Sequence, residues 1–407
     1  MNILNKRMAA SIIILLFLGS SIIPVLGEIG ENQTGSYDDP IFDKKIELLM
    51  KMAHMPSLSV GIIKDDKLVW HRGYGLYDGN NTPDEHTAYL IASTTKSITA
   101  TAIMQLYDKG LFDLDDDVSG YLPFELRNPN FPDIPITFRM ILAHQSSLPG
   151  PGGTIDSKFW DHANPGLPEI GPFIKQKLDP NDDSYNPNIW RAKPPGTEYS
   201  YSNLGYTLLG YLVECITKES YDQYCKKHIF KPLDMHNTSF NISELNIENV
   251  AIPYIWYKLS FPNYRVWVAH PHGAGPIYPA GFLITSVSDL SHYLIAHMNG
   301  GVYNSVRILN GSTVKIMHTI QYPENKGINI EGKYGMGFHI KESLTKPTTI
   351  GHGGDVIGCH SNMMFLPSEN IGIIYFTNRQ LSKDFTGFTA RLLLKPWMIK
   401  KARSLDL

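Results

Sequence analysis

The apolar positions of this 407-residue chain change period several times, and the changes outline its elements. Ile41 to Met52 has helical spacing. Leu58 to Ile63 and Leu68 to Tyr74 are β-rich runs joined through Lys64-Asp65-Asp66-Lys67, which predicts a hairpin. From Ser93 the spacing becomes helical again, through Ile98, Ala102, Ile103 and Leu106, and stops at Gly110. A long Pro- and Gly-rich region, Leu111 to Gly196, contains one helix start, with Thr137 as cap before Met140, Ile141 and Leu142. Another helix begins at Asn203, with Leu204, Leu208, Leu209, Leu212, Val213 and Ile216 on one face. Strand-like runs return at Gly337 to Ile340, Asn362 to Leu366 and Ile371 to Thr377, the last apolar enough for a buried central strand. Strands at both ends of a helical, loop-rich middle predict an α+β fold. Its antiparallel sheet is built from both chain ends and flanked by helices, with a mainly helical region inserted.

Met1 to Gly27 opens with Lys6 and Arg7, continues as an apolar run and ends on a small residue, the layout of a secretory signal. Export to the periplasm, cell surface or medium is expected, by a signal cleaved after Gly27 or one retained as an N-terminal anchor. Residues 28–40 read as a flexible leader, and 41–395 as a single catalytic domain. Its α/β part is expected at about 41–92 and 286–395, and its helical part at about 93–285.

The formal net charge of -3 gives no basic stripe for a phosphate backbone, so nucleic acid is excluded as a partner and a small-molecule or peptide substrate is expected. Oligomeric state is not written in the chain. Three cysteines, Cys215, Cys225 and Cys359, do not make a disulfide framework. His270-Pro271-His272 has no acidic ligand at metal-site spacing and reads as a loop near the cleft, and neither His-Glu-x-x-His nor Gly-x-Ser-x-Gly is present. No metal or cofactor is implied.

Three short motifs bear chemistry. Ser-x-x-Lys puts an amine one helical turn from a hydroxyl. It occurs as Ser93 to Lys96, Ser312 to Lys315 and Ser343 to Lys346, but only Ser93 follows strand-like sequence and opens an apolar helix. Tyr201-Ser202-Asn203 lies on a turn before an apolar helix, where a phenol can carry a proton and an amide can position an amine; its plain alternative is a helix cap at Asn203 beside a packed Tyr201. His352-Gly353-Gly354 follows β-rich Thr348-Thr349-Ile350, setting a titratable ring beside two residues that permit close backbone approach; His71-Arg72-Gly73 matches the same short pattern.

In order, Ser93-x-x-Lys96, Tyr201-x-Asn203 and His352-x-Gly354 resemble the β-lactamase-like serine hydrolase family: class C β-lactamases, D,D-peptidases, D-aminopeptidases and related esterases. Ile136 to Pro149, Pro195 to Tyr206, Ile229 to Met235, Pro279 to Leu290 and Gly351 to Asn378 extend the likeness over nearly the whole mature chain. The resemblance implies that Ser93 is the nucleophile and that Lys96 and Tyr201 handle its proton, either serving as base. Asn203 would orient Lys96 and substrate, and the backbone N–H groups of Ser93 and Asp355 would form the oxyanion hole. Gly353 and Gly354 would line the substrate. The helix macrodipole is expected to loosen the Lys96 proton. Class C β-lactamases usually carry lysine where this chain has His352 and a hydroxyl residue where it has Gly353, so a largely neutral imidazole replaces a fixed cation. That moves the expected substrate from β-lactams to D-amino-acid peptides, amides or esters. β-Lactam hydrolysis and a non-catalytic binding protein are the alternatives.

Overall fold

The computed structural model describes residues 39–150, 166–258, 265–322, 333–343, 345–382 and 384–405. The expected signal, residues 1–27, lies outside them, as does the expected leader apart from Asp39 and Pro40, where the first helix begins. Ile41 onward forms one compact unit.

Helix α1 (Pro40–Met52) leads into strands β1 (Ser57–Lys64) and β2 (Lys67–Gly75). Their turn places Asp65 at φ 48° and Asp66 at φ 63°, the two left-handed residues that a tight hairpin matched to strand twist requires. Helix α2 (Thr95–Asp108) follows a 3-10 turn at Ala92–Thr94. Helix α3 (Phe138–Leu142) is capped by the Thr137 side chain, which accepts from the Met140 N–H as the sequence predicts. Helix α4 (Asn203–Thr217) is capped by Ser202, which accepts from the Gly205 N–H, so Asn203 is the first helical residue and its side chain is left for other work.

Helix α5 (Val287–Met298) precedes the remaining strands: β3 (Lys333–Tyr334), β4 (His339–Lys341), β5 (Thr349–Val356), β6 (Cys359–Leu366) and β7 (Ile371–Thr377). Helix α6 (Phe385–Arg403) closes the described chain. The sheet runs β2-β1-β7-β6-β5-β4-β3, antiparallel throughout, with the first strand hydrogen-bonded to the last. This is the two-ended sheet expected from the sequence.

One face of the sheet packs on α1 and α6 through Leu58, Val60, Ile62, Met364, Ile373, Leu394 and Met398. The other packs on α5 and the helical region through Ile63, Met363, Phe365, Ile374 and Phe376. Successive residues of a strand point to opposite faces, so each apolar run feeds two cores. β4 pairs with β5 only at Thr349 to Gly351, which leaves His352 to Val356 bonded to β6 alone, its other edge open toward α2. Ahead of His270, whose stretch reads as loop in the sequence, Tyr254–Lys258 forms a ladder with Arg265–Ala269.

Candidate active site

Ser93 lies in the 3-10 turn before α2, and the residue ahead of it, Ala92, takes φ 46°. A side chain in that left-handed region costs energy and persists only where surrounding bonds hold it. Those bonds come from β6. Ser361 Oγ donates to the Ile91 carbonyl at 2.5 Å and accepts from Thr94 Oγ1 at 2.8 Å, so the strand grips the turn on both sides of Ser93. Gly354 lets β5 approach the same turn, since a Cβ there would stand 2.1 Å from the Ile91 carbonyl oxygen.

Lys96, on the first turn of α2, has no exposed surface. Its Nζ lies 3.3 Å from Ser93 Oγ, 2.7 Å from Asn203 Oδ1 and 2.6 Å from the Ala280 carbonyl oxygen, one acceptor for each ammonium proton. Burial holds its pKa well below the usual lysine value. The direction is the one expected from the macrodipole, but desolvation is the cause: among the described residues no carboxylate faces the ammonium to repay the lost water. The Tyr201 ring stands beside it, with Nζ 4.8 Å from the ring centroid.

His352 is 3% exposed. Its Nδ1 faces the Gly353 carbonyl at 2.8 Å, which can only accept, so Nδ1 bears the proton and Nε2 accepts from the Tyr334 hydroxyl at 3.1 Å. Burial, reinforced by His339 and Lys96, keeps the ring well below the usual imidazole range. It is therefore neutral across ordinary pH.

Ser93, Tyr201, His352, Gly353, Gly354 and Asp355 line one cleft of ≈ 370 Å³; Lys96 and Asn203 are buried and connect to it through the contact of Lys96 Nζ with Ser93 Oγ. Burial acts to raise the Asp355 carboxyl, but hydrogen bonds from His360 (2.9 Å) and Ser382 (2.7 Å) outweigh it and hold the group below its usual range. The other Ser-x-x-Lys pairs are not brought here: Ser312, Lys315, Ser343 and Lys346 are all exposed.

Sequence reasoning gave no role to His144. At φ 59° on the turn after α3, 1% exposed, it accepts the Ser202 N–H on Nδ1 at 3.0 Å, and its ring packs on Tyr201 at 4.4 Å between centroids. It thus fixes the turn that carries Tyr201 and Asn203. The only available signal was its place in the Ile136 to Pro149 stretch; its partner is 58 residues away.

A family profile described as Beta-lactamase matches residues 42–395. Protein flp of Staphylococcus aureus (strain N315) is 28% identical over 343 residues, covering 83% of this chain and 62% of that protein, so the match spans less than two thirds of the relative's length. Among solved structures, the octameric penicillin-binding protein homologue from Pyrococcus abyssi is similar at TM-score 0.72 and 29% identity, over 89% of this chain and 78% of the other. The D-amino acid amidase from Ochrobactrum anthropi SV3, complexed with D-phenylalanine, shares the fold at TM-score 0.69 and 21% identity, over 90% and 97% of the two chains.

Proposed function

The chain belongs to the beta-lactamase family of serine hydrolases, and on that premise we propose that it is a peptidase or esterase forming an acyl-enzyme on Ser93 with D-amino-acid peptides, amides or esters. Ser93 Oγ attacks the carbonyl, and its proton passes to the unit made by Lys96 and Tyr201. The new C–O bond completes as the bond to the amine or alcohol breaks, and that group leaves with the proton. Water then cleaves the acyl ester and releases the acid. The backbone N–H groups of Ser93 and Asp355 receive the oxyanion, an effect typically worth about 3 kcal/mol per donor.

The observation that carries this reading is the setting of Lys96: a wholly buried amine of loosened proton affinity, within hydrogen-bond reach of Ser93 Oγ and held on its other side by Asn203 and Ala280. Such an amine gives up its proton more readily than a free lysine and, once neutral, can take the serine proton. The substrate class is supported by the neutral His352, which offers no fixed cation for a β-lactam carboxylate, and by the shared fold of the D-amino acid amidase. Export of the mature enzyme is part of the same proposal.

The test compares D- and L-phenylalanine 4-nitroanilide, a 4-nitrophenyl ester and penicillin as substrates. Turnover of the D-anilide or the ester, lost in Ser93→Ala, is expected. Fast penicillin turnover without either would make the protein a β-lactamase, and no turnover of any substrate would favour a binding role.

A further inference from the structure

The cleft does not end at Ser93. Past Gly353 it continues beneath α6, where Lys341 on β4 and Arg391 and Lys395 on α6 all line it. None of the three cations has an ion-pair partner among the described residues. The one carboxylate among the described lining residues, Asp355, is already engaged by His360 and Ser382. Like charges gathered around a cavity without counter-charges oppose folding.

The same walls hold buried polar atoms without partners. Tyr375 Oη, His360 Nε2 and Asn362 Oδ1 are each without a hydrogen bond among the described residues, in side chains at most 5% exposed. A buried polar group left unpaired costs on the order of 1–3 kcal/mol, and several around one cavity point to an occupant that satisfies them. The Tyr375 hydroxyl and, with its amide turned, Asn362 can donate; His360 can donate once protonated beside an anion. At the mouth, Phe388 and Leu392 are 50% and 59% exposed, a wall for an apolar linker.

We propose that the Lys341, Arg391 and Lys395 end of the cleft is an anion subsite, so that the preferred substrates carry a carboxylate remote from the bond that Ser93 attacks. This rests on the reading of Ser93 as nucleophile. The site lies beyond the position of His352, whose neutral ring cannot hold a carboxylate, and it draws its cations from β4 and α6. Burial, with Lys341 and Arg391 close by, lowers Lys395 to about 8, so an incoming anion also strengthens its protonation.

Two ester pairs test the subsite: 4-nitrophenyl glutarate against 4-nitrophenyl butanoate, and 3-acetoxybenzoate against phenyl acetate, placing the anion on the acyl or the leaving side. At least one anionic ester should exceed its neutral counterpart in kcat/KM by tenfold or more. That ratio should fall toward one in Arg391→Gln/Lys395→Gln and persist in Lys395→Arg. Removing a charge from the cluster should also leave thermal unfolding unchanged or raised, which separates lost recognition from lost fold. No advantage for either anionic ester, or an advantage that survives the double substitution, overturns the proposal. Turnover of the neutral esters surviving in Ser93→Ala would instead overturn the reading of the nucleophile.

Discussion

Lys96 Nζ donates to Asn203 Oδ1 at 2.7 Å, which ties the first residue of α4 to the first turn of α2 across 107 positions of sequence. The cap on α4 is Ser202, so nothing in helix formation requires asparagine at 203; its amide serves the amine.

Asn203→Ala therefore strips one acceptor from a fully buried ammonium. Hydrogen bonds to charged groups contribute about 1.5–3 kcal/mol, so kcat/KM should fall roughly 10- to 150-fold. Asn203→Asp has the opposite electrostatic sense: a carboxylate beside Lys96 favours the charged amine and raises its pKa. The acid limb of the pH–rate profile should then move to higher pH. An unmoved limb in the aspartate variant would mean that Lys96 does not set it.

Buried neutral histidines make stability depend on pH. His144, His297 and His352, each at most 3% exposed, have native pKa values pushed well below 6.5 by burial first. Below pH 6.5 the unfolded chain takes up protons that the native rings refuse. Their contribution is thus complete above 6.5 and lost as pH falls, by about 1.4 kcal/mol per unit for each ring. Asp289 and Glu214, raised by burial, act in the opposite sense. Histidines so lowered outnumber them, so Tm should drop between pH 7 and 5, and His297→Gln should flatten the slope; a Tm that rises on acidification would contradict this.

The two glycines of the third motif should behave differently. A Cβ on Gly353 would meet Asn362 Nδ2 at 3.1 Å and the Ser361 carbonyl at 3.5 Å, contacts that a small shift of the amide relieves. A Cβ on Gly354 would press on the Ile91 carbonyl at 2.1 Å and drive β5 from the turn before Ser93. Gly353→Ala should keep activity within a few-fold. Gly354→Ala should cost about 1–3 kcal/mol in unfolding and, by displacing the cleft's edges by about 1 Å, on the order of 100-fold in kcat/KM. Equal activity in the two variants would rule out the close approach.

What was legible in the chain was what local pattern encodes. The β1–β2 hairpin, the Thr137 cap, and α2 and α4 follow from periodicity and capping within a few residues. β5 reads Thr-Ile-Gly-His-Gly-Gly-Asp-Val, and its extended form depends on pairing with β6 more than on propensity. Helix α6 stayed hidden because Phe385, Phe388 and Leu392 on its exposed side and Pro396 within it blur the buried stripe of Ala390, Leu394, Met398 and Ala402. The identities of Ser93, Lys96, Tyr201 and Asn203 were legible as ordered motifs. The Ala280 carbonyl on Lys96 and the His144 ring under Tyr201 were not, because a backbone oxygen leaves no sequence mark and the His144 contact is long-range.

Ser93 should be the group that becomes acylated. Intact-mass and peptide mass spectrometry after reaction with a fluorophosphonate probe should show one adduct on the peptide containing Ser93, slowed by roughly 100-fold or more in Lys96→Ala and absent in Ser93→Ala. An adduct of undiminished yield in Ser93→Ala, or one mapped to another serine of the wild-type chain, would contradict it.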